Sequence, residues 1–320
     1  MSNLLEVQNL KKYFETPRGL LHAVDDVSFG IPKGKTLGVV GESGCGKSTL
    51  GRTILHLTEP TGGKIFFGGE DVTSVDRARL KKLREDMQII FQDPFSSLNP
   101  RMTVSEAVTD PLKLTNRYAK GEMEERANSL METVGLTERL RNSYPHELDG
   151  GRRQRVGIAR SLALEPKFIV CDEPVSALDV SIQAQILNLL QDLQESKKLT
   201  YLFITHDLSV VRYISNDICV MYMGQMVEMS PSKELFQNPV HPYTKALLSA
   251  ILVPDIHVKR ERVLLKGEVS SPINPKPGCR FAARCPYACK QCEHGQKKVE
   301  ISPGHFVACN VVTGAGAESL

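Results

Sequence analysis

The sequence predicts an α/β fold: a mixed, mostly parallel sheet, a helical insertion and a small cysteine-rich C-terminal extension. Three observations carry that reading. Short apolar strands alternate with helical segments, the order that lays strands parallel and covers both faces of a sheet. Between Pro94 and Glu165 the chain is charged and helical in pattern, with no good strand. Five of the eight cysteines (Cys279, Cys285, Cys289, Cys292 and Cys309) crowd beyond residue 278, while Cys45, Cys171 and Cys219 are scattered.

Residues 4–8 and 22–31 alternate apolar and polar side chains as short strands do, with Gly19, Pro32 and Gly34 as turn punctuation. Thr36-Leu37-Gly38-Val39-Val40 reads as a buried strand that runs into a glycine-rich loop. A helix starts at Ser48 and carries Leu50, Ile54 and Leu55 at helical spacing. Lys64 to Phe67 and Met87 to Phe91 are further strands. Beyond the helical insertion come the strand Phe168 to Cys171, a long helix near 181–197 and the strand Thr200 to Ile204. The texture changes at about Phe236. One amphipathic helix spans 241–252, and then Pro254, Pro272, Pro275 and Pro277 break up regular structure. Residues 268–310 hold too few apolar side chains for a core and call for a covalent or metal staple.

Composition excludes several classes. The 320 residues carry 40 Lys+Arg against 37 Asp+Glu, a net +3 of mixed sign that offers no basic face for nucleic acid. A hydrophobic content of 41% excludes wholesale disorder. No stretch approaches the roughly 18 consecutive apolar residues of a membrane span, and the first residues lack a signal-peptide pattern. The expectation is a soluble, cytosolic protein.

Gly41-Glu42-Ser43-Gly44-Cys45-Gly46-Lys47-Ser48 fits the phosphate-binding pattern G-x-x-x-x-G-K-[ST], between a strand and a helix as the pattern requires. Its glycines let the backbone curl so that N–H groups point at phosphate oxygens. Lys47 would neutralise β/γ-phosphates and the Ser48 hydroxyl would coordinate Mg²⁺. Cys45 contributes only its backbone, and Thr49 is counted with the loop. Phe168 to Cys171 is an apolar strand that ends in Asp172 and Glu173. Asp172 would hold Mg²⁺ through water, and Glu173 would be the general base that polarises the attacking water. Cys171 is a small core residue.

Tyr13, the loop at 41–48, Gln92, Leu148-Asp149-Gly150-Gly151, Asp172-Glu173, Ser176-Ala177-Leu178-Asp179 and His206 stand in the order found in ABC-transporter ATPase subunits. The chain resembles that family over about 1–250. Residues 87–104 and 171–190 resemble oligopeptide/dipeptide importers, specifically the F-type of their two ATPase subunits, and 271–288 resembles their C-terminal extension. The resemblance implies a P-loop ATPase core: a nucleotide-binding domain at 1–235 with a helical subdomain at about 95–165, and an extension at 236–320. It also implies roles. Tyr13 stacks on adenine, Gln92 contacts Mg²⁺ and water, and His206 donates to the γ-phosphate. Asp179 belongs to the loop that crosses between two ATPase subunits. Position 149 with Gly150 and Gly151 binds the γ-phosphate held by the opposite subunit.

The family's signature there is Leu-Ser-Gly-Gly-Gln, and this chain has Asp149 and Arg152 instead of the serine and glutamine. Asp149 can still cap the following helix but brings a carboxylate to a phosphate. Two like charges about 4 Å apart repel by roughly 4 kcal/mol at an effective dielectric near 20. Arg152 could pair with Asp149 and mask part of that. The composite site using this signature is therefore expected to be weakened, while the one holding Lys47 and Glu173 hydrolyses ATP; the alternative is that Asp149 and Arg152 are tolerated with little effect.

Cys279, Cys285, Cys292 and Cys309 resemble the cluster-binding pattern of these ATPases, which implies a structural [4Fe–4S] cluster. The spacing of Cys289 to Cys292, with His294 and His305 nearby, leaves zinc as the alternative and free thiols as a third. The implied partners are a second ATPase subunit of D-type, two transmembrane permease subunits and, through them, an extracytoplasmic substrate-binding protein. The expected place is the cytoplasmic face of the cell membrane, as a peripheral subunit. Peptides are the usual cargo, although related importers carry nickel or sugars. The rival readings are a soluble ABC ATPase acting on nucleic acid or ribosomes, and a regulatory ATP-binding subunit with a degenerate signature.

Overall fold

The computed structural model describes residues 2–115, 117–251, 265, 267 and 271–313, so Pro254 lies outside the described residues. In chain order the described strands are β1 (Asn3–Thr16), β2 (Gly19–Pro32), β3 (Thr36–Val40), β4 (Gly62–Phe67), β5 (Glu70–Asp71), β6 (Met87–Ile90), β7 (Phe168–Asp172), β8 (Thr200–Ile204), β9 (Asp217–Tyr222), β10 (Gln225–Pro231), β11 (Val299–Ser302) and β12 (His305–Val307). They fall into two compact units.

One unit is built from Pro32–Lys35 and Val75–Ile204. Its strands β6, β7 and β8 are parallel, with Met87 opposite Phe168 and Phe168 opposite Thr200. Every residue of β7 and β8 is buried, as continuous apolar runs in a sheet covered on both faces should be. The expected helical stretch contains Pro94–Ser97, Val104–Lys113, Lys120–Thr133 and Gly150–Leu162, with no strand among its described residues. Local chemistry starts these helices. Thr103 and Glu106 form a reciprocal capping box at Val104, and Asp149 caps Gly150–Leu162 through the Arg152 amide at 2.7 Å. The long helix Val180–Lys197 stops where Lys198 turns left-handed, at φ 56°.

The other unit is built from Ser2–Ile31, Thr36–Ser74 and the chain from Thr205 onward. Here β2-β1-β4-β5 form one sheet, with antiparallel pairing of β1 with β4 and of β4 with β5. β3 pairs parallel with β9, and β10 pairs antiparallel with β9 on one side and β12 on the other. The tail thus enters this unit as a β11–β12 hairpin that widens the sheet beside β10. β9 and β10 were not legible as strands from alternation, because β9 (DICVMY) is buried almost throughout. The signal was the Met223-Gly224 turn between them, with φ 45° and 83°, the two-residue hairpin geometry. The terminal helix expected over 241–252 is observed as Pro242–Ser249.

Candidate functional site

In the second unit, β3 is wholly buried and delivers the loop Gly41–Ser48 at its carboxyl end. Gly41, Gly44 and Gly46 have φ of 155°, 78° and 103°. A Cβ on Gly46 would collide with the Ala23 carbonyl oxygen, and one on Gly41 with that of Met221. The curl is therefore open to glycine alone at both positions. Lys47 is 4% exposed and turns its ammonium back onto the loop, donating to the carbonyls of Gly41 at 2.8 Å and Glu42 at 3.0 Å. Ser43 and Gly44 at the tip are exposed, and Ser48 and Thr49 open the helix with half-buried side chains. Burial pushes the Cys45 thiol up, the ammonium of Lys47 notwithstanding, consistent with a residue that serves through its backbone. The residues present fit a nucleoside triphosphate: a loop whose positive-φ glycines at 41 and 46 pack too closely for any side chain, and a buried lysine beside it.

The same unit places Tyr13 on β1, where its ring stacks on His22 at 3.9 Å and its hydroxyl donates to Asp25. His206 is exposed directly after buried Thr205, and Asp207 caps the helix that follows through the amide of Ser209 at 2.7 Å.

In the first unit, Asp172 ends β7 and is 2% exposed. Glu173 follows with φ 47°, a left-handed conformation rare for a non-glycine residue, held by its amide donating to Ile204 at 2.9 Å. Such strain concentrates at functional sites. Gln92 lies two residues after β6, and its Nε2 donates to Glu173 Oε2 at 3.0 Å. These two residues are thus brought together across 81 positions of sequence. Asp149 not only caps its helix but pairs with Arg152, Oδ2 to Nε, at 3.4 Å. Gly150 and Gly151 open the helix, and a Cβ on Gly151 would press on Ile182. Asp179 is exposed at the start of Val180–Lys197 and makes no side-chain cap.

The metal expectation for the tail requires correction. Among the described residues no group of three or more His, Cys, Asp or Glu side chains is placed to hold a metal ion. Cys279, Cys285, Cys292 and Cys309 therefore form no [4Fe–4S] site. Burial pushes the Cys279 thiol up to about 11 and raises those of Cys285 and Cys292. The Cys292 sulfur lies 3.8 Å from that of Cys289. His305 is 1% exposed and committed to Glu228 at 2.8 Å. Packing supplies the staple that a metal was expected to provide: Phe281, Val307 and Cys309 are buried at 1%, 0% and 3% exposure.

Arg280, Arg284, Tyr243 and Asp25 carry contacts to the loop and to Tyr13 that sequence reasoning did not find. No local signal marks them, because Arg284 and its partner Glu42 are separated by 242 positions.

Two family models match the chain. Residues 24–176 match the family model described as ABC transporter, and 227–292 match that described as oligopeptide/dipeptide transporter, C-terminal region. The oligopeptide transport ATP-binding protein AppF of Bacillus subtilis is 51% identical over 319 residues, covering 96% of this chain and 97% of that protein. OppF of the same organism, also an oligopeptide transport ATP-binding protein, is 52% identical and covers 96% of each chain. Among solved structures, the post-hydrolysis dimer of the ATP-binding cassette MJ0796 bound to ADP and Pi superimposes with TM-score 0.66 at 32% identity, covering 71% of this chain and 98% of that one.

Proposed function

The chain belongs to the ABC-transporter ATP-binding proteins of the oligopeptide/dipeptide import type, and from that premise we propose that its ATPase activity drives peptide uptake through a separate permease. The observation that carries the reading is the span of the match: it runs through both the ATPase region and the C-terminal region described for oligopeptide and dipeptide transporters. Among the described residues no helix is long and apolar enough to cross a membrane, and in this reading the translocation path belongs to the separate permease.

In this reading residues 1–235 bind nucleotide and 236–320 form the extension. The loop amides of 41–48 and Lys47 take the phosphates, Tyr13 takes the adenine face, and Ser48, Gln92 and Asp172 would hold Mg²⁺. When bound, Mg²⁺ neutralises phosphate charge. Glu173 accepts a proton from the attacking water, and its hydrogen bond from Gln92 fixes the carboxylate that does so. His206 donates to the γ-phosphate. Catalysis is thus mainly positioning and charge neutralisation in an in-line displacement. Asp149, Gly150 and Gly151, with Asp179, serve a second composite site across a dimer with a D-type ATPase subunit, and the Asp149 carboxylate weakens that site. The assembly lies on the cytoplasmic face of the membrane and receives peptides from an extracytoplasmic binding protein.

The test is ATP turnover and peptide uptake by the assembled transporter carrying Glu173→Gln. ATP binding is expected to persist while turnover and uptake fall by about 100-fold or more, the lower end for removing a general base. Intact turnover would reverse the assignment of the hydrolytic site. Uptake of nickel or sugars with no peptide uptake would overturn the cargo.

A further inference from the structure

The segment Cys279-Arg280-Phe281-Ala282-Ala283-Arg284-Cys285 carries two arginines on either side of one buried aromatic ring. Phe281 anchors the segment, edge-on to Tyr222 at 5.2 Å and tilted against Tyr243 at 5.4 Å. A single tight turn, Ala282–Arg284, follows the anchor. With the ring fixed, the two arginines reach different parts of the same unit.

Arg284 forks onto Glu42 in the phosphate loop, Nη1 to Oε2 at 2.8 Å and Nη2 to Oε1 at 3.1 Å, with its side chain only 10% exposed. Glu42 is held at two further points. Its amide donates to the Tyr243 hydroxyl at 2.9 Å, and its carbonyl accepts from Lys47 at 3.0 Å. Arg280, 6% exposed at its side chain, donates to Asp25 and to the Met223 carbonyl. Asp25 accepts in turn from the Tyr13 hydroxyl, and His22 Nδ1 lies 3.3 Å away. Burial opposes ionisation of Asp25, but the hydrogen bonds of Tyr13 and His22 and the charge of Arg280 outweigh it and keep its pKa below the usual range.

We propose that Arg284 and Arg280 are positioning residues of the nucleotide site, Arg284 setting the phosphate loop through Glu42 and Arg280 setting Tyr13 through Asp25. The inference rests on reading 41–48 and Tyr13 as nucleotide contacts, and it makes the C-terminal segment a determinant of nucleotide affinity. Two-pronged arginine–carboxylate pairs are strong and directional, so they fix a loop that would otherwise be ordered at the expense of binding. Arg284 also neutralises a carboxylate inside a loop built to receive phosphate. Without it, Glu42 would be left unpaired and would repel the ligand.

Binding of N-methylanthraniloyl-ATP with Mg²⁺ to the full chain, competed with inorganic tripolyphosphate, separates the two arms. The melting temperature without nucleotide is measured alongside. Arg284→Gln is expected to raise the Kd of both ligands about thirtyfold, the low end for stripping one partner from a buried charge pair. Adding Glu42→Gln removes the orphaned charge and is expected to bring both back to within about threefold of the parent, since paired residues are not additive. Arg280→Gln is expected to weaken the ATP analogue and leave tripolyphosphate unchanged. Tyr243→Phe removes a single oxygen from the loop's support and keeps the aromatic packing, and is expected to raise both Kd values by about threefold, one neutral hydrogen bond's worth. An unchanged Kd in Arg284→Gln and Tyr243→Phe, or a double variant no better than Arg284→Gln, overturns the proposal. Lys47→Ala is the control for the underlying reading: if it binds both ligands as the parent does, the loop is not the phosphate site and that reading fails on its own account.

Discussion

Gly46 stands at φ 103° with the Ala23 carbonyl where a side chain would begin. Gly46→Ala is therefore expected to cost about 2 kcal/mol of stability and to abolish measurable ATP binding, since both strain and collision act on one residue. Thermal melting and nucleotide titration check the two effects. Much of the chemistry at this scale was legible in sequence, because a phosphate loop must place its glycines and lysine at fixed offsets along one stretch of backbone. The Asp172-Glu173 pair at the end of an apolar strand was legible for the same reason. The left-handed Glu173 was not, nor was the bond that joins it to Gln92, because each depends on a neighbouring strand or loop far away in the chain.

Elements show the same division. The helix Gly150–Leu162 begins at Asp149, which accepts from the Arg152 amide at 2.7 Å, so the cap could be foreseen from the residue type alone. Asp149→Ser is expected to keep stability within about 0.5 kcal/mol, because serine caps as well as aspartate, while raising ATP turnover of the assembled transporter by removing a carboxylate from the second site. Asp149→Ala should instead lose about 1 kcal/mol with the cap. The Arg152 pair adds little to this, being about half exposed on both sides. A fall in turnover for Asp149→Ser would refute the weakened-site reading. Other elements left weak local traces. Arg77–Asp86 (RARLKKLRED) buries only Leu83 and so shows almost no apolar face, and β9 is buried without alternation. The β11–β12 hairpin is short and exists through its pairing with β10.

At the scale of the whole chain, stability depends on pH through a buried imidazole. His241 is 1% exposed and caps Pro242–Ser249, its Nδ1 accepting from the Tyr243 amide at 3.1 Å. Burial pushes its pKa down to about 4, against a partly compensating pull from Glu228, which also accepts from the amides of Val240 and His241 and from His305. The unfolded chain binds that proton near pH 6.5 and the folded chain only near 4. Stability is therefore complete above pH 6.5 and falls on acidification towards pH 4, by on the order of 3 kcal/mol from this group. His241→Asn keeps a capping acceptor without the titration. Melting of the chain between pH 7 and pH 5 is expected to be shallower in that variant than in the parent.

The sequence by itself determined the fold class, the phosphate loop, the carboxylates at a strand end and the family, because each is written in neighbouring residues whose spacing follows backbone geometry. Only the tertiary structure decided what the cysteine-rich tail does. Spacing pointed to a metal staple, but the folded tail is held by Phe281 among aromatic rings and by a hairpin on β10. It sends Arg284 back across 242 positions to the phosphate loop. Contacts between segments so far apart depend on where packing brings them, and packing is a property of the whole chain.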